Sequence, residues 1–365
     1  QTFTVNASAD GWVLQDLGEV VEAKEYTATF TKGDQSISKK FTVAKSGTQF
    51  VEDGEVKTYN GETQTDTFTA GDTITVKATP TPTGKAPDNS AMFAASFTAP
   101  GAGQMAVFVG TTQVSVSADK GEDGSYTMTV SAADVLLAAG GPGTEIPLTA
   151  RFTANDNMAD GAGTATVNIT AAAVAERGGT MLGYYDESGL DAALADKNNE
   201  GAVFTLLKDV TYEEREQGLE IKITCTLDLG GHTIRSKGEY AAALSTYVNT
   251  TVTIRGEGTV ISEQGHGFSV GGTATLEGGT FISGTADYNG VYVRTGKLIV
   301  TSEAVVIENT GGGIGLGVNS GTGATAQLSA GTYGGGTAAI EIYQGTGTLA
   351  GLLNQEGASR VAYYK

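Results

Sequence analysis

The stretch CTLDLGGHTI, Cys225 to Ile234, decides the fold that we predict for the C-terminal half of the chain. Apolar and polar side chains alternate from Ile221 to Leu229, and this period of two predicts a strand with one buried face. The paired glycines Gly230 and Gly231 then permit a tight bend before the extended chain resumes. The stretch therefore predicts one rung of a repeating structure.

Related pieces recur toward the C-terminus as IRGEGTV, LEGGTF, LSAGTY and the degenerate SEAVVI. Their alignment makes one series of apolar positions equivalent: Ile234, Val260, Phe281, Val306 and Tyr333. A second series interleaves with it: Leu244, Phe268, Val291, Ile314 and Ile340. Two short strands per period of about 25 residues, with glycine bends and no helix between them, predict a parallel β-helix of stacked coils. Propeller blades would need about 40 residues per repeat, and leucine-rich repeats would need a consensus that this sequence lacks.

A short helix is predicted ahead of the first coil. Ser188 with Asp191 resembles a capping box, and Leu190 and Leu194 follow at helical spacing. A strand over Ala202–Val210 comes next. Together these elements would cover the open end of the first coil, where unpaired backbone groups invite aggregation.

The order of this helix, TLLKDV (205–210) and LDLGGHTI (227–234) resembles the opening of a known group of domains. These are the pectate-lyase-like right-handed parallel β-helix domains in large surface proteins of Gram-positive anaerobic bacteria. The resemblance covers about residues 180–365 and implies that fold, an extracellular location and association with a cell surface. It does not imply one activity, because the fold carries lyases, hydrolases, adhesins and inert stalks.

The N-terminal half is predicted to be all-β and to form two domains. Alternating runs at Tyr26–Thr31 and Ile37–Val43 predict a hairpin within a small or incomplete β-sandwich of residues 1–46. An immunoglobulin-like β-sandwich is predicted over residues 47–175, from the strands Asp72–Pro80, Ala91–Ala99, Gln104–Gly110, Tyr126–Ser131, Ile146–Ala154 and Ala165–Thr170. The segments GDTITVKATP, AGQMAVFVG and RFTANDNMAD resemble the Ig-like repeats that accompany such β-helices as spacers. The β-helix domain then takes residues 176–365.

Charge and cysteine content narrow the range of partners. The formal net charge is -19, with 22 Lys and Arg against 41 Asp and Glu, which argues against nucleic acid or an anionic membrane as partner. The single cysteine, Cys225, excludes an internal disulfide and is expected to be buried. No run approaches the ~20 apolar residues of a membrane helix and no signal peptide is present, so we expect no membrane insertion within this chain. Because Gln1 stands where a starting Met would be, we expect a processed or excised piece of a longer protein.

Motifs for catalysis and metal binding are weak. GFSVG matches a nucleophile elbow, but its Ser269 falls inside a repeat strand, and both histidines, His232 and His266, precede it. Two histidines and one cysteine do not supply a zinc site, and no cofactor is predicted. The acidic turns Asn155–Asp160 and Asp119–Asp123 could hold calcium, although ordinary Asx turns explain them better.

A polysaccharide-active enzyme would need paired carboxylates presented by neighbouring coils. The acidic residues are instead scattered among the repeats: Asp228, Glu257, Glu277, Glu308 and Glu341. Asp287 with Arg294 is the nearest candidate set. We therefore lean towards a protein without enzymatic activity.

A shallow notch is the sharpest candidate for ligand binding. If the second apolar series points inward, the alternate residues form two outward columns: Ser245, Ser269, Tyr292, Gly315, Glu341, and Tyr247, Gly271, Arg294, Gly317, Tyr343. Because coils stack at ~4.8 Å, the two glycines of the fifth coil would leave a notch about 10 Å wide. Aromatic and charged groups around it could hold a sugar ring, and the predicted ligand-binding residues are Tyr292, Arg294, Gly315, Gly317, Glu341 and Tyr343. The alternative is a solvated face on which tyrosines occur by chance.

The sequence therefore predicts a non-enzymatic extracellular surface or adhesin-like protein, in which Ig-like spacers carry a β-helix with a carbohydrate-binding face. The expected partner is a glycan or a host or matrix surface. Two alternatives stay open: a polysaccharide lyase or glycoside hydrolase of the pectate-lyase-like class, and a purely structural stalk.

Overall fold

The chain is all-β and divides into two compact units. The computed structural model describes residues 4–8, 11–16, 25–32, 35–42, 44, 46–50, 55–82, 103–116, 118–154, 158–213, 217–343 and 361–364. The first unit comprises Gln1–Phe68 and Asp72–Ile169, and the second comprises Thr69–Gly71 and Thr170–Lys365. The predicted all-β class is confirmed, whereas the predicted domain boundaries after residues 46 and 175 stay predictions.

The second unit is a parallel β-solenoid of about 6 coils, which confirms the predicted β-helix architecture. Each coil contributes one strand to each of three parallel sheets, which we name A, B and C. Sheet A contains Val203–Leu206, Cys225–Asp228, Thr251–Arg255, Thr273–Leu276, Lys297–Val300 and Thr325–Leu328. Sheet B contains Val210–Tyr212, Thr233–Ser236, Thr259–Ser262, Thr280–Ser283, Val306–Asn309, Gly331–Gly335 and Val361–Tyr364. Sheet C contains Leu219–Ile221, Leu244–Thr246, Phe268–Val270, Asn289–Val293, Ile314–Asn319 and Ala338–Tyr343.

The core lies inside the coils, where the inward residues of successive strands stack. One such column in sheet A is fully buried and consists of Leu227, Ile254, Leu276, Val300 and Leu328. Burying one side chain of this kind contributes about 1.5–3 kcal/mol. Cys225 is buried on the same strand as Leu227, and burial raises the pKa of its thiol to about 12.

The predicted repeat needs two corrections. Each coil has three strands rather than two, because the strand before each glycine bend belongs to a sheet of its own, sheet A. In sheet B the residue in register with Phe281 is Ile307 and not Val306. The shift arises because Val305, Val306 and Ile307 are all apolar, so the hydrophobic pattern does not fix which of them face inward.

A short helix covers the core of the first coil, as predicted. The helix Glu187–Ala193 buries Leu190 in the solenoid core, and Leu194, the residue after the helix, is buried there as well. Its N-cap is Asp186 rather than Ser188, and the Asp186 carboxylate accepts a hydrogen bond from the Gly189 N–H at 2.7 Å. The predicted N-cap, Ser188, lies two residues after the observed one. Ser and Asp are both favoured at N-caps, so the sequence pattern fits either position.

An antiparallel hairpin that was not predicted extends sheet A ahead of the first coil. Its strands are Ala173–Arg177 and Thr180–Tyr185, and the first of them pairs with Val203–Leu206. The hairpin therefore satisfies backbone groups that would otherwise lie at the open edge of a parallel sheet.

The first unit consists of hairpins and short sheets. Two hairpins pair Thr4–Ser8 with Gly11–Asp16 and Glu25–Lys32 with Gln35–Thr42, and the second of them confirms the predicted hairpin. The five-stranded sheet has the order Thr112–Gln113, Met105–Val109, Gly143–Phe152, Gly161–Thr170, Thr67–Thr69. The four-stranded sheet has the order Tyr126–Ser131, Thr73–Ala78, Lys57–Asn60, Thr63–Gln64, and Thr48–Gln49 pairs with Thr81–Pro82. The predicted strand Ala91–Ala99 lies outside the described residues.

The two larger sheets of the first unit touch through Tyr126 and Phe152, whose rings meet edge to face at 6.0 Å between centroids. The helices of the described residues are short: Ala132–Ala139, Glu187–Ala193, and the 3₁₀ turns Lys197–Asn199 and Ser320–Thr322. None of these described helices has the length and apolar character needed to span a membrane.

Candidate functional site

Both predicted outward rows on sheet C need correction at the fifth coil. In the second row Asn319, and not Gly317, is in register with Tyr343. The first row also differs from its prediction. It runs through Tyr292, Gly317 and Glu341, which are in register on successive strands. Gly315 does not belong to this row. The prediction aligned Ile314 two residues out of register, because apolar residues flank Gly315 on both sides and the pattern fits either alignment.

Gly315 instead lies at the inward corner between sheets B and C. It continues a row with Gly267 and Gly290, whose neighbours are backbone atoms rather than side chains. A Cβ on Gly315 would collide with the carbonyl oxygen of Gly334 on the adjacent strand. These glycines therefore permit a close approach of backbones and contribute nothing to an outward notch.

The predicted notch at Gly317 is filled by a neighbouring ring. A Cβ on Gly317 would lie 2.6 Å from Cε2 of Tyr343 and 2.7 Å from Nδ2 of Asn289. The Asn289 amide donates a hydrogen bond to the Tyr343 hydroxyl at 3.0 Å. The glycine thus makes room for Tyr343 rather than for a ligand.

Aromatic rings form a continuous surface around this point, which we name the aromatic band. It consists of Tyr240, Tyr288, His266, Tyr292 and Tyr343, in order of contact. Successive ring centroids are 6.4, 4.9, 4.7 and 6.1 Å apart, and His266 lies nearly parallel to Tyr292, at 16°. The structure therefore joins the predicted Tyr292 and Tyr343 to three residues that the sequence reasoning missed.

The three missed residues lie in the loops between sheets B and C, and a buried polar column at the end of sheet B holds these loops. The column consists of Ser236, Ser262, Ser283 and Asn309. Ser262 donates to the carbonyl of Ala241, the neighbour of Tyr240, at 2.7 Å. Ser283 donates to the carbonyl of Gly265, the neighbour of His266, at 2.9 Å. Asn309 donates to the carbonyl of Tyr288 at 2.6 Å, so a rung of the column holds the backbone at or beside each of the three loop residues.

His266 is an uncharged member of the band at neutral pH. Burial lowers its pKa to about 4, and its Nδ1 accepts a hydrogen bond from the Asn289 N–H at 2.9 Å. Because Nδ1 is the acceptor, the neutral imidazole carries its proton on Nε2. His266 therefore acts as a flat, neutral ring stacked on Tyr292.

Polar side chains fix the two tyrosines of sheet C. The Asn319 amide donates to the Tyr292 hydroxyl at 3.1 Å, and its own buried Oδ1 accepts no hydrogen bond from the described residues. Burial raises the pKa of Tyr343, the bond from Asn289 opposes this, and the charge of Glu341 adds to it. Tyr343 is therefore a protonated phenol at neutral pH, and hydrogen bonds orient the hydroxyls of both tyrosines.

The charged residues of the predicted site lie at its margin. Arg294 directly follows the strand of Tyr292 and is exposed, and Nη2 of its guanidinium passes 3.1 Å from the Cβ position of Gly271. Glu341 is partly buried beside Gly317 in the row described above. Arg294 and Glu341 can therefore offer polar contacts to a ligand on the band, while neither forms part of its aromatic surface.

The acidic turns considered for calcium are organised by their own hydrogen bonds. Asp123 accepts from the Ser125 hydroxyl at 2.7 Å and from the Ser125 N–H at 3.0 Å, and the hydroxyl bond is the main cause that lowers the pKa of Asp123. Asp160 accepts from the Ala154 N–H at 2.6 Å, while Asn155 lies outside the described residues. Within the described ranges no three or more His, Cys, Asp or Glu side chains come together as metal ligands.

Two concave surfaces lie away from the band. One, of about 510 Å³ in the first unit, has the Arg151 guanidinium 4.4 Å over the Phe108 ring at its wall. The other, of about 330 Å³, lies at the turns between sheets A and B, where Glu257 and Glu277 stand among glycines. Ser269, the centre of the elbow-like motif, lies on the strand Phe268–Val270 and is followed by another strand, so the helix that an elbow requires does not follow it.

Comparison with known proteins gives no further guide to the site. No protein family matches the sequence, no curated protein is significantly similar to it, and no solved structure matches its fold at a significant level. The chemistry of the band must therefore be argued from its own residues.

Proposed function

We propose that this chain is a non-enzymatic extracellular surface protein whose aromatic band binds carbohydrate. Five contacting rings on one outward surface of the solenoid are the observation that carries the proposal. In this proposal the solenoid is a right-handed, pectate-lyase-like β-helix of an adhesin-like bacterial protein, and the first unit is an Ig-like spacer. The resemblance of LDLGGHTI and GDTITVKATP to such proteins supports that setting.

A band of this kind suits a sugar for physical reasons. Aromatic faces offer apolar contact to the C–H faces of pyranose rings, and tyrosine hydroxyls and nearby amides offer hydrogen bonds to sugar hydroxyls. The rings of Tyr292 and Tyr343 are fixed beforehand by Asn319 and Asn289, so binding orders few side chains. Oriented rings with polar neighbours favour a specific site over a chance group of exposed tyrosines.

A glycan-array screen of the whole chain tests the proposal. Tyr292→Ala and Tyr343→Ala are each expected to weaken any hit by about tenfold, which corresponds to about 1.4 kcal/mol. Tyr247→Ala is the matched control, because Tyr247 is a 53 % exposed tyrosine of the same solenoid outside the band. Glycan binding that survives both band substitutions would contradict the proposal, and silence of the array would favour a structural stalk.

The competing candidate is a polysaccharide lyase or glycoside hydrolase. The observation that favours it is the 330 Å³ concavity where Glu257 and Glu277 come from successive coils, as paired carboxylates would have to. Incubation of each array hit with the chain, followed by product analysis, separates the two proposals. Cleavage that Glu257→Gln and Glu277→Gln abolish would support the enzyme, whereas an intact glycan would reject it.

A further inference from the structure

We infer that the ligand of the aromatic band is an extended, unbranched and uncharged glycan that lies lengthwise along the solenoid and ends on Tyr240. This inference rests on the proposed carbohydrate binding and specifies its ligand. It follows from the order of the rings along the solenoid, from the charge around them and from the backbone of Tyr240.

The band runs from coil to coil rather than along one strand. Tyr240 precedes the sheet C strand of the second coil, His266 that of the third, and Tyr343 ends that of the sixth. The Tyr343 ring lies over Gly317 of the fifth coil, so the rings cover about three coil steps. At about 4.8 Å per step this is roughly 14 Å between the outermost rings, the length of three to four sugar rings in a row. A mono- or disaccharide would cover only part of such a surface, whereas an extended chain could contact all of it.

The charge around the band excludes acidic polymers as its best ligands. The band offers no positive charge of its own at neutral pH, since burial holds His266 neutral. Glu239 and Asp287 are exposed neighbours of Tyr240 and Tyr288, and Glu341 lies in the row of Tyr292. These carboxylates outnumber the exposed Arg294, which directly follows the strand of Tyr292. With a net charge of -19 on the whole chain, a polyanionic glycan would meet repulsion along its length.

Tyr240 combines an unusual backbone conformation with an exposed ring. Its φ is +63°, in the left-handed region that a bulky residue rarely adopts, and its side chain is 73 % exposed. Its N–H donates to the Gln264 carbonyl at 3.3 Å, while its ring meets only the edge of Tyr288, at 6.4 Å. A strained backbone that presents an aromatic ring to solvent is typical of a functional contact.

The test is a titration of the whole chain with a length series, from the monosaccharide to the hexasaccharide, of the neutral glycan found on the array. Affinity is expected to rise with each added ring up to about four and then level off. Tyr240→Asn is expected to weaken the longest oligomers by about tenfold while leaving the disaccharide unchanged. Asn is chosen because it tolerates positive φ, and an unchanged melting temperature would show that folding is intact.

The outcomes separate this inference from the proposed function. Affinity that is already maximal for the mono- or disaccharide, with no effect of Tyr240→Asn on long oligomers, would overturn the lengthwise ligand and leave carbohydrate binding in place. Tighter binding of a polyanionic oligomer of equal length would overturn the neutral ligand. Loss of all glycan binding in the unaltered chain would overturn both.

Discussion

Acidification should destabilise the solenoid through His266. Burial lowers the pKa of this imidazole to about 4 in the folded chain, from an ordinary value of 6.5. Above about pH 6.5 the imidazole is neutral in both the folded and the unfolded chain. Between pH 6.5 and about 4 only the unfolded chain takes up the proton, so the free energy of unfolding falls as the pH falls.

The size of this effect follows from the difference between the two pKa values. At about 1.4 kcal/mol per pKa unit, the loss between pH 7 and pH 4 is about 3 kcal/mol. Protonation would also remove the acceptor for the Asn289 N–H, at 2.9 Å, and Asn289 in turn orients Tyr343. Because the folded chain takes up this proton only near pH 4, we expect glycan binding on the band to hold from pH 7 to about pH 5 and to weaken near pH 4.

Urea unfolding of the whole chain between pH 4 and pH 7 measures the effect, with His266→Gln as the comparison. The Gln side chain can still accept a hydrogen bond but does not titrate in this range, so the wild-type advantage should shrink as the pH falls. His232→Gln is the control, since His232 lies at a solenoid turn, 3.5 Å from Asp209. The chain has only 2 histidines, so NMR can follow each directly. A constant difference between wild type and His266→Gln, or a His266 inflection near pH 6.5, would refute the reasoning.

Three further predictions test separate parts of the structure. Gly317→Ala should displace the Tyr343 ring, because the new Cβ would lie 2.6 Å from it, and should lower glycan affinity with little change in melting temperature. Unchanged affinity would contradict the role given to this glycine. Asn309→Ala should lower the free energy of unfolding, measured by urea titration, by about 2–4 kcal/mol, because it leaves buried loop groups without hydrogen-bond partners. A loss below about 0.5 kcal/mol would show that the loops keep their structure without this side chain. Cys225 should resist alkylation in the native chain and react in urea, because burial raises the pKa of its thiol to about 12; rapid native labelling would place it at the surface.

The solenoid could be predicted because apolar and polar residues alternate along the strands that form its core. The alternation around Cys225 gave the correct buried face, and the glycine pair after it gave the bend between sheets A and B. The prediction failed at Val305 to Ile307, where neighbouring residues are all apolar and either face satisfies burial. It also failed at Ile314, where a shift of two residues keeps the same face inward. The strand register at such positions depends on the length of the preceding turn, which the apolar–polar pattern does not specify.

The candidate site was only partly predictable for a related reason. Tyr292 and Tyr343 lie on strands, so their outward direction followed from the period of two. Tyr240, His266 and Tyr288 lie in loops, whose path is set by the buried column that ends in Asn309 and by backbone contacts. Their separation by about one repeat length was the available signal, because equivalent loop positions of stacked coils lie side by side.

The glycine corner between sheets B and C has a consequence for how this chain could change over time. At Gly267, Gly290 and Gly315 an added methyl group would meet the backbone of the next coil, so any larger residue is expected to destabilise the coil. In the loops beside this corner Gly265 and Gly313 are restricted in the same way, whereas the largely exposed Tyr240 is not, and the loops carry rings of differing kind. The molecule thus separates corner positions that are glycine in the third, fourth and fifth coils from loop positions whose rings differ from coil to coil. A new ligand could be acquired by replacing loop residues one at a time, without rebuilding the scaffold that displays them.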